Sequence, residues 1–216
     1  GHTFNGWEPK PERMPAEDTT VVAQWTPNNY TVFFDVNGGD KLEINEINVT
    51  YGKEYGELPI PSRTGYGFIG WFTEKDEDKG ERIISSTVVT MTSSQTLYAH
   101  WTASPVTVHF DGNGGAPSQD MIIVEYNNKY GTLPTAEREG HTFNGWRTEK
   151  DEGIEVTNET TVTNANEHTL YAQWVVNKYR LTFDYGNGTN TNTELTYNET
   201  IDYPMNLIRE GYTFNG

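Results

Sequence analysis

Short stretches of the chain alternate apolar and polar residues with a period of two. In Leu97-Tyr98-Ala99-His100-Trp101 and Leu170-Tyr171-Ala172-Gln173-Trp174, Leu, Ala and Trp fall on one face, and Tyr with His or Gln on the other. Val21-Val22-Ala23-Gln24-Trp25 has the same form. This is the pattern of a strand with one face buried. A second alternating stretch, Tyr30 to Asp35, recurs as Val106 to Asp111 and Tyr179 to Asp184, each time ending in Phe-Asp. Its outward slots include Phe33, His109 and Thr182, which replace one another. Asn37-Gly38-Gly39, Asn113-Gly114-Gly115 and Asn187-Gly188 follow. Asn-Gly suits turns that need positive φ, so each stretch predicts a β-hairpin, with partner strands ending near Thr50, Glu125 and Thr196. No window sustains a helical period. The expected class is mainly β, a small α+β fold at most, with no more than one short helical turn.

A third motif marks the period. Gly140-His141-Thr142-Phe143-Asn144-Gly145-Trp146 recurs at Gly1–Trp7, as Gly65-Tyr66-Gly67-Phe68-Ile69-Gly70-Trp71, and incompletely at Gly211–Gly216. The copies start 64, 75 and 71 residues apart, the signature of tandem repeats. Plain alternation puts Tyr66, Phe68 and Gly70 on one face and Gly67, Ile69 and Trp71 on the other. The Ile69 slot holds Asn5 and Asn144 elsewhere, which argues against deep core, whereas the Phe slot is aromatic in all four copies. Gly before Trp predicts either a close backbone approach or a bulge that turns the indole back inward.

These motifs delimit the C-terminal part of a repeat at 1–25, full repeats at 30–101 and 106–174, and the N-terminal part of a repeat at 179–216. All six tryptophans occupy two motif slots: Trp7, Trp71 and Trp146 in one, Trp25, Trp101 and Trp174 in the other. A core built on Phe34, Phe110, Phe183, Trp25, Trp101 and Trp174 is expected from their apolar-face positions. Polar, proline-bearing connections such as Tyr55-Gly56-Glu57-Leu58-Pro59 lead back to the third motif, and an Arg precedes its glycine each time (Arg63, Arg138, Arg209). Length varies between the two Trp slots. The longer copies share Thr-Glu-Lys-Asp-Glu at 73–77 and 148–152, which predicts an extra hairpin or a long surface loop.

Composition narrows the chemistry. There is no cysteine, hence no disulfide or thiolate metal site. A net charge of −16 opposes binding to nucleic acid phosphates and to anionic membranes. No apolar run approaches the ~20 residues a bilayer span requires. Small repeats bury a modest share of their surface, so aromatic residues and contacts with neighbouring repeats must add stability. Both ends fall inside a motif, which predicts a piece of a longer array.

Taken in order, Phe-Asp-x-Asn-Gly-Gly, Tyr-Gly, Leu-Pro, Arg-x-Gly-Tyr-x-Phe-x-Gly-Trp and Leu-Tyr-Ala-Gln-Trp resemble the Listeria–Bacteroides repeat, the B-repeat type of internalins and other bacterial surface proteins. The resemblance covers Tyr30–Trp101 and Val106–Trp174 as full units and both ends as partial ones. It implies small β-grasp-like units repeated along secreted or wall-attached proteins, with no catalytic residues to carry over. Departures are the long 73–95 and 148–168 segments, the altered turn at 184–188, and Met205 where Pro is expected.

Candidate chemistry is sparse. The five histidines are His2, His100, His109, His141 and His168; His2 and His141 stand in a Tyr slot, His100 in a Gln slot and His109 opposite Phe33 and Thr182, an interchange that suits strand surfaces better than metal ligands. No nucleophile–base arrangement or phosphate-binding motif recurs, so neither an enzyme nor a cofactor is expected. Glu74, Asp76, Glu77 and Asp78 cluster carboxylates as calcium sites do, but Lys75 and Lys79 are interleaved, which favours a solvated loop. Tyr98 and Tyr171, on the polar face of their strands, are the candidate ligand contacts, through sugar stacking; packing between repeats is the competing role. Five Asn-x-Thr sequons (Asn29, Asn48, Asn158, Asn187, Asn198) match what an Asn- and Thr-rich chain gives by chance.

Two function classes follow. One is a spacer or stalk of an extracellular, cell-surface adhesin-like protein, whose partners are neighbouring repeats. The other is a module that binds glycan or host protein through exposed aromatics and acidic loops, which requires one chemically distinct patch repeated in register. Four residues separate successive strands at each repeat joint (26–29, 102–105, 175–178), which predicts a fixed orientation and an elongated array. A compact globule of this length has a radius of gyration of ~17 Å, whereas the array should give on the order of 25 Å or more. Small-angle scattering measures the difference; a value near the compact figure removes the stalk reading.

Overall fold

In the computed structural model of the protein, every residue is described except Glu77, Asn206, Phe214 and Gly216. The aromatic slot of the fourth motif copy therefore lies outside the described residues, as does Glu77 of the acidic cluster. The described residues form strands, turns and bends, without a helix. None of them forms a helix long and apolar enough to cross a membrane. The chain divides into two compact units, Gly1–Ser104 and Pro105–Gly216.

The first unit opens with a hairpin of β1 (His2–Glu8) and β2 (Val22–Pro27). The full repeat follows as β3 (Asn29–Asp35), β4 (Glu46–Thr50), β5 (Tyr66–Phe72), β6 (Arg82–Ile83) and β7 (Gln95–Ala103), in the sheet order β4-β3-β7-β5-β6. β3 and β7 run parallel, with Phe34 opposite Leu97, while every other pair is antiparallel. Parallel neighbours need a long crossover rather than a tight turn. The connection between β4 and β5 uses its length to place Tyr55 and Leu58 on the core.

The second unit repeats the plan. β8 (Pro105–Asp111), β10 (Met121–Glu125), β12 (His141–Arg147), β13 (Glu155–Val156) and β14 (His168–Val176) form a sheet in the order β10-β8-β14-β12-β13, and the short β9 (Ala116–Pro117) and β11 (Ala136–Glu137) pair beside it. A hairpin of β15 (Lys178–Asp184) and β16 (Asn190–Thr196) is the last pair of strands among the described residues. The insertion between the Trp slots thus forms a loop closed by a two-residue strand, Trp71 facing Ile83 and Trp146 facing Val156.

The third motif carries a bulge. Phe68 faces Trp101 and Gly70 faces His100, so Ile69 is the extra residue and stays exposed. The same shift lies between Phe143 and Trp146 and between Phe4 and Gly6. Gly6, Gly70 and Gly145 have φ of 118°, 153° and 90°, which L side chains rarely adopt. Plain alternation would put Phe68 and Trp71 on opposite faces. The bulge turns the indole back, and their rings lie 5.6 Å apart on the core side.

Each full repeat closes its own core. Val32, Phe34, Leu97, Ala99, Trp71 and Trp101 are buried in the first; Val108, Phe110, Leu170, Ala172 and Trp146 are buried in the second, with Trp174 packed against them. The indole N–H of Trp71 donates to the carbonyl of Pro59, and that of Trp146 to Pro134, both at 2.7 Å. The partial repeats differ. Trp25 was expected in a core but is 57% exposed, and Trp7 is 51% exposed. β1 and β2 pair only with each other, and a lone hairpin has no second layer to cover an indole. Phe183 in the last hairpin is half-buried for the same reason, touching Tyr203 at 6.0 Å.

Successive repeats within each unit are joined through backbone. Asn28 N–H donates to Gly1 and Tyr51 N–H donates to Asn28; Asn177 N–H donates to Gly140 and Tyr197 N–H to Asn177. Ser104 N–H donates to Gly65 in the same way. The Tyr51 and Tyr197 rings lie over Gly1 and Gly140, where a Cβ would collide.

Replacing Trp101 by Ala should cost about 3–5 kcal/mol as a large core truncation, and Trp25→Ala less than about 1 kcal/mol as a mostly exposed site. Gly145→Ala meets no atom within 4 Å, so its cost is conformational, about 1–3 kcal/mol. Denaturant melts of the three variants test the assignments; a Trp101→Ala loss no larger than that of Trp25→Ala contradicts them.

Candidate functional site

The Phe-Asp-x-Asn-Gly-Gly turn is a structural clamp. Asp35 and Asp111 each accept the backbone N–H two residues on, at 2.8 Å. That hydrogen bond, supported by Lys150 at 3.3 Å, holds the Asp111 carboxyl below its usual range. Asn37 and Gly38, like Asn113 and Gly114, have positive φ, and Gly39 and Gly115 close the turn by donating to residues 36 and 112. The Asn37 and Asn113 amides then donate to Ala99 and Ala172 at 3.1 Å, fixing the turn to the strand that carries the second Trp slot. A Cβ on Gly39 would meet the Trp101 indole at 2.6 Å, so the last glycine is required for space. The recurrent Arg completes the clamp: Arg63 lies over the Tyr66 ring at 3.9 Å and reaches the Asn37 carbonyl, as Arg138 reaches that of Asn113.

The outer face of β7 and β14 is less open than its polarity implies. His100 is 1% exposed, where a surface slot was expected. Its ring stacks on Phe72 at 4.0 Å, and Nε2 lies 2.8 Å from the Glu74 carbonyl. Gln173, in the same slot, donates to the Lys150 carbonyl at 3.1 Å. The His/Gln slot therefore anchors the acidic loop by its backbone. The sequence carried no signal for this, since Gln24 fills the same slot in a copy without the Thr-Glu-Lys-Asp-Glu loop and nothing in the strand pattern places the loop over it.

The acidic loop itself is exposed. Lys79 pairs with Asp76 at 2.8 Å and, as its first cause, lowers the Asp76 carboxyl below its usual value. Among the described residues no three His, Asp or Glu side chains converge as metal ligands would. The remaining histidines have local partners: His109 with Glu167 at 2.6 Å, and His2 and His141 edge-on to Tyr51 and Tyr197.

Tyr98 and Tyr171 are half-buried on the outer face. Tyr171 borders a cavity of about 380 Å³ in the second full repeat. The floor is the buried Tyr130, whose hydroxyl meets His168 Nε2 at 2.7 Å; His168 Nδ1 lies 2.9 Å from the Asn166 carbonyl. If Nδ1–H donates there, Nε2 accepts from the tyrosine, and burial pushes the Tyr130 hydroxyl pKa up. Thr148, Glu149, Thr163 and Thr169 form the walls. Lys150 Nζ stands 5.5 Å from the Tyr171 ring but does not line the cavity.

A mixed five-stranded sheet repeated with the same register, clamp and bulge defines a tandem all-β repeat protein. The Listeria–Bacteroides repeat domain matches residues 30–100, 107–173 and 179–216, and the chain belongs to that family. It is 29% identical over 99% of its length to a provisionally named Gly-rich membrane protein of Evansella cellulosilytica, and 35% identical over 84% to a second membrane protein of that organism, also provisionally named. It is 33% identical over 55% of its length to Internalin H of Listeria monocytogenes. The chain spans only about a quarter of the length of these relatives, 25%, 29% and 24% in turn.

His100→Gln should preserve the loop, because Gln173 performs the same anchoring. His100→Ala removes both the stack and the hydrogen bond, and should cost about 1–3 kcal/mol while raising amide exchange across 73–80. Equal exchange in the two variants would contradict the anchoring role.

Proposed function

We propose that the chain is a run of spacer repeats in a cell-envelope protein, holding other parts of that protein away from the bacterial surface. The observation that carries this reading is that each full repeat closes its own core and that the joints are made by backbone hydrogen bonds at a single residue between strands, Asn28, Ser104 or Asn177, where four residues were expected. Such a unit can be added or removed without rebuilding its neighbours. The names of the relatives, two membrane proteins and an internalin, support an envelope location, on the extracellular side. The reading assigns no catalytic residues.

The test is functional. Displayed on a bacterial surface with an epitope at its outer end, the chain should raise antibody access stepwise as copies of residues 106–174 are added. Access that does not depend on repeat number overturns the spacer reading.

A further inference from the structure

The cavity beside Tyr171 has a counterpart at the level of sequence. Of the residues around it, Tyr130, Thr148, Glu149, Thr163, Thr169 and Tyr171 occupy the positions of Tyr55, Thr73, Glu74, Thr90, Thr96 and Tyr98 in the first full repeat. The correspondence is fixed by structure: Tyr55 N–H donates to Thr87 and Tyr130 N–H to Thr160, while Phe34 pairs with Leu97 as Phe110 does with Leu170. Core packing explains the tyrosine on the floor. It does not explain the walls, where Thr163 and Glu149 are exposed and Thr169 and Tyr171 half-exposed, and where other outward slots of this chain change freely, as Phe33, His109 and Thr182 do.

The geometry points to a saccharide-binding cleft in the second full repeat, with Tyr171 as the ring that a sugar packs against and Thr148, Glu149, Thr163 and Thr169 as its hydroxyl partners. The size is sufficient, since small-molecule sites begin at about 300 Å³. The chemistry is that of a polyol. Threonine hydroxyls donate and accept, a carboxylate accepts from paired hydroxyls, and a tyrosine offers an apolar face with a polar rim. The Thr148 hydroxyl accepts from Ile154 N–H and keeps its own proton to donate. The Tyr130–His168 pair leaves the floor satisfied and rigid. Glu149 and the net charge of −16 oppose sialylated and uronic acid sugars, and the class proposed is a neutral or amino-bearing saccharide. This goes beyond the spacer role and does not depend on it.

The full chain, fluorescently labelled, should be applied to an array carrying neutral, amino and anionic oligosaccharides. Binding to neutral or amino sugars is expected, falling at least fivefold in Tyr171→Ala and in the double variant Glu149→Gln, Thr163→Val. The double variant changes only exposed side chains, so its melting curve should match the parent and separate lost binding from lost folding. Tyr171→Phe should retain most of the signal. Binding confined to anionic sugars, no binding at all, or binding unaffected by the double variant overturns the cleft assignment. None of these outcomes alters epitope access in the display experiment, so the two proposals fail separately.

Discussion

The fold of each repeat depends on one extra residue. A strand with perfect alternation cannot send both Phe and Trp, three positions apart, to the same side. The unpaired residue at Ile69 or Asn144 resets the phase, and the glycine after it takes the backbone angle that the reset requires. With the indole inside, its N–H reaches the carbonyl of Pro59 or Pro134 and ties the long crossover to the sheet. Without the reset, the indole would face outward, the crossover would lose its anchor, and the carbonyl of Pro59 or Pro134 would lose its donor. A lost hydrogen bond of this kind, about 0.5–1.5 kcal/mol, is a sizeable share of the stability of a unit of some seventy residues.

The second tryptophan performs the matching task at the other end of the sheet. Trp101 donates to the Val36 carbonyl at 3.0 Å and Trp174 to that of Gly112 at 2.9 Å, so each indole reaches into the Asn-Gly turn of its repeat. The turn is held from three directions, by the Asp before it, the Asn amide within it and the Arg beyond it. Four residues scattered through the sequence thus fold into one clamp. A chain without cysteine obtains from these contacts some of the cross-linking that small extracellular domains take from disulfides.

Much of this was legible in the residues. Period-two alternation located the strands of both full repeats, Asn-Gly located the turns, and the odd glycine before Trp announced the bulge as one of two alternatives. What alternation could not supply was context. Trp25 and Trp101 occupy the same slot of the same alternating motif, yet one is exposed and the other buried, because burial depends on strands that lie far away in the chain. His100 read as a surface residue because its strand face is polar; it is buried because a loop from another segment folds over it. The wall of the Tyr171 cleft was invisible for a similar reason. Of its lining, only Tyr171 reads as a ligand contact from the sequence, since threonines carry no mark of what stands opposite them.

The joints between repeats have an evolutionary consequence. The hydrogen bonds that the three joints share run from main chain to main chain, while the links themselves read Thr-Pro-Asn-Asn, Thr-Ala-Ser-Pro and Val-Val-Asn-Lys; Thr3 donating to Asn28 and Thr142 to Asn177 add side-chain bonds at two of them. No side chain has to be preserved for the link to form, apart from the need for an N–H at its third position. Duplicated copies can therefore drift apart in surface residues and loop length without losing their connection. An array built this way can lengthen by gene duplication at once and diversify its exterior later, one repeat at a time.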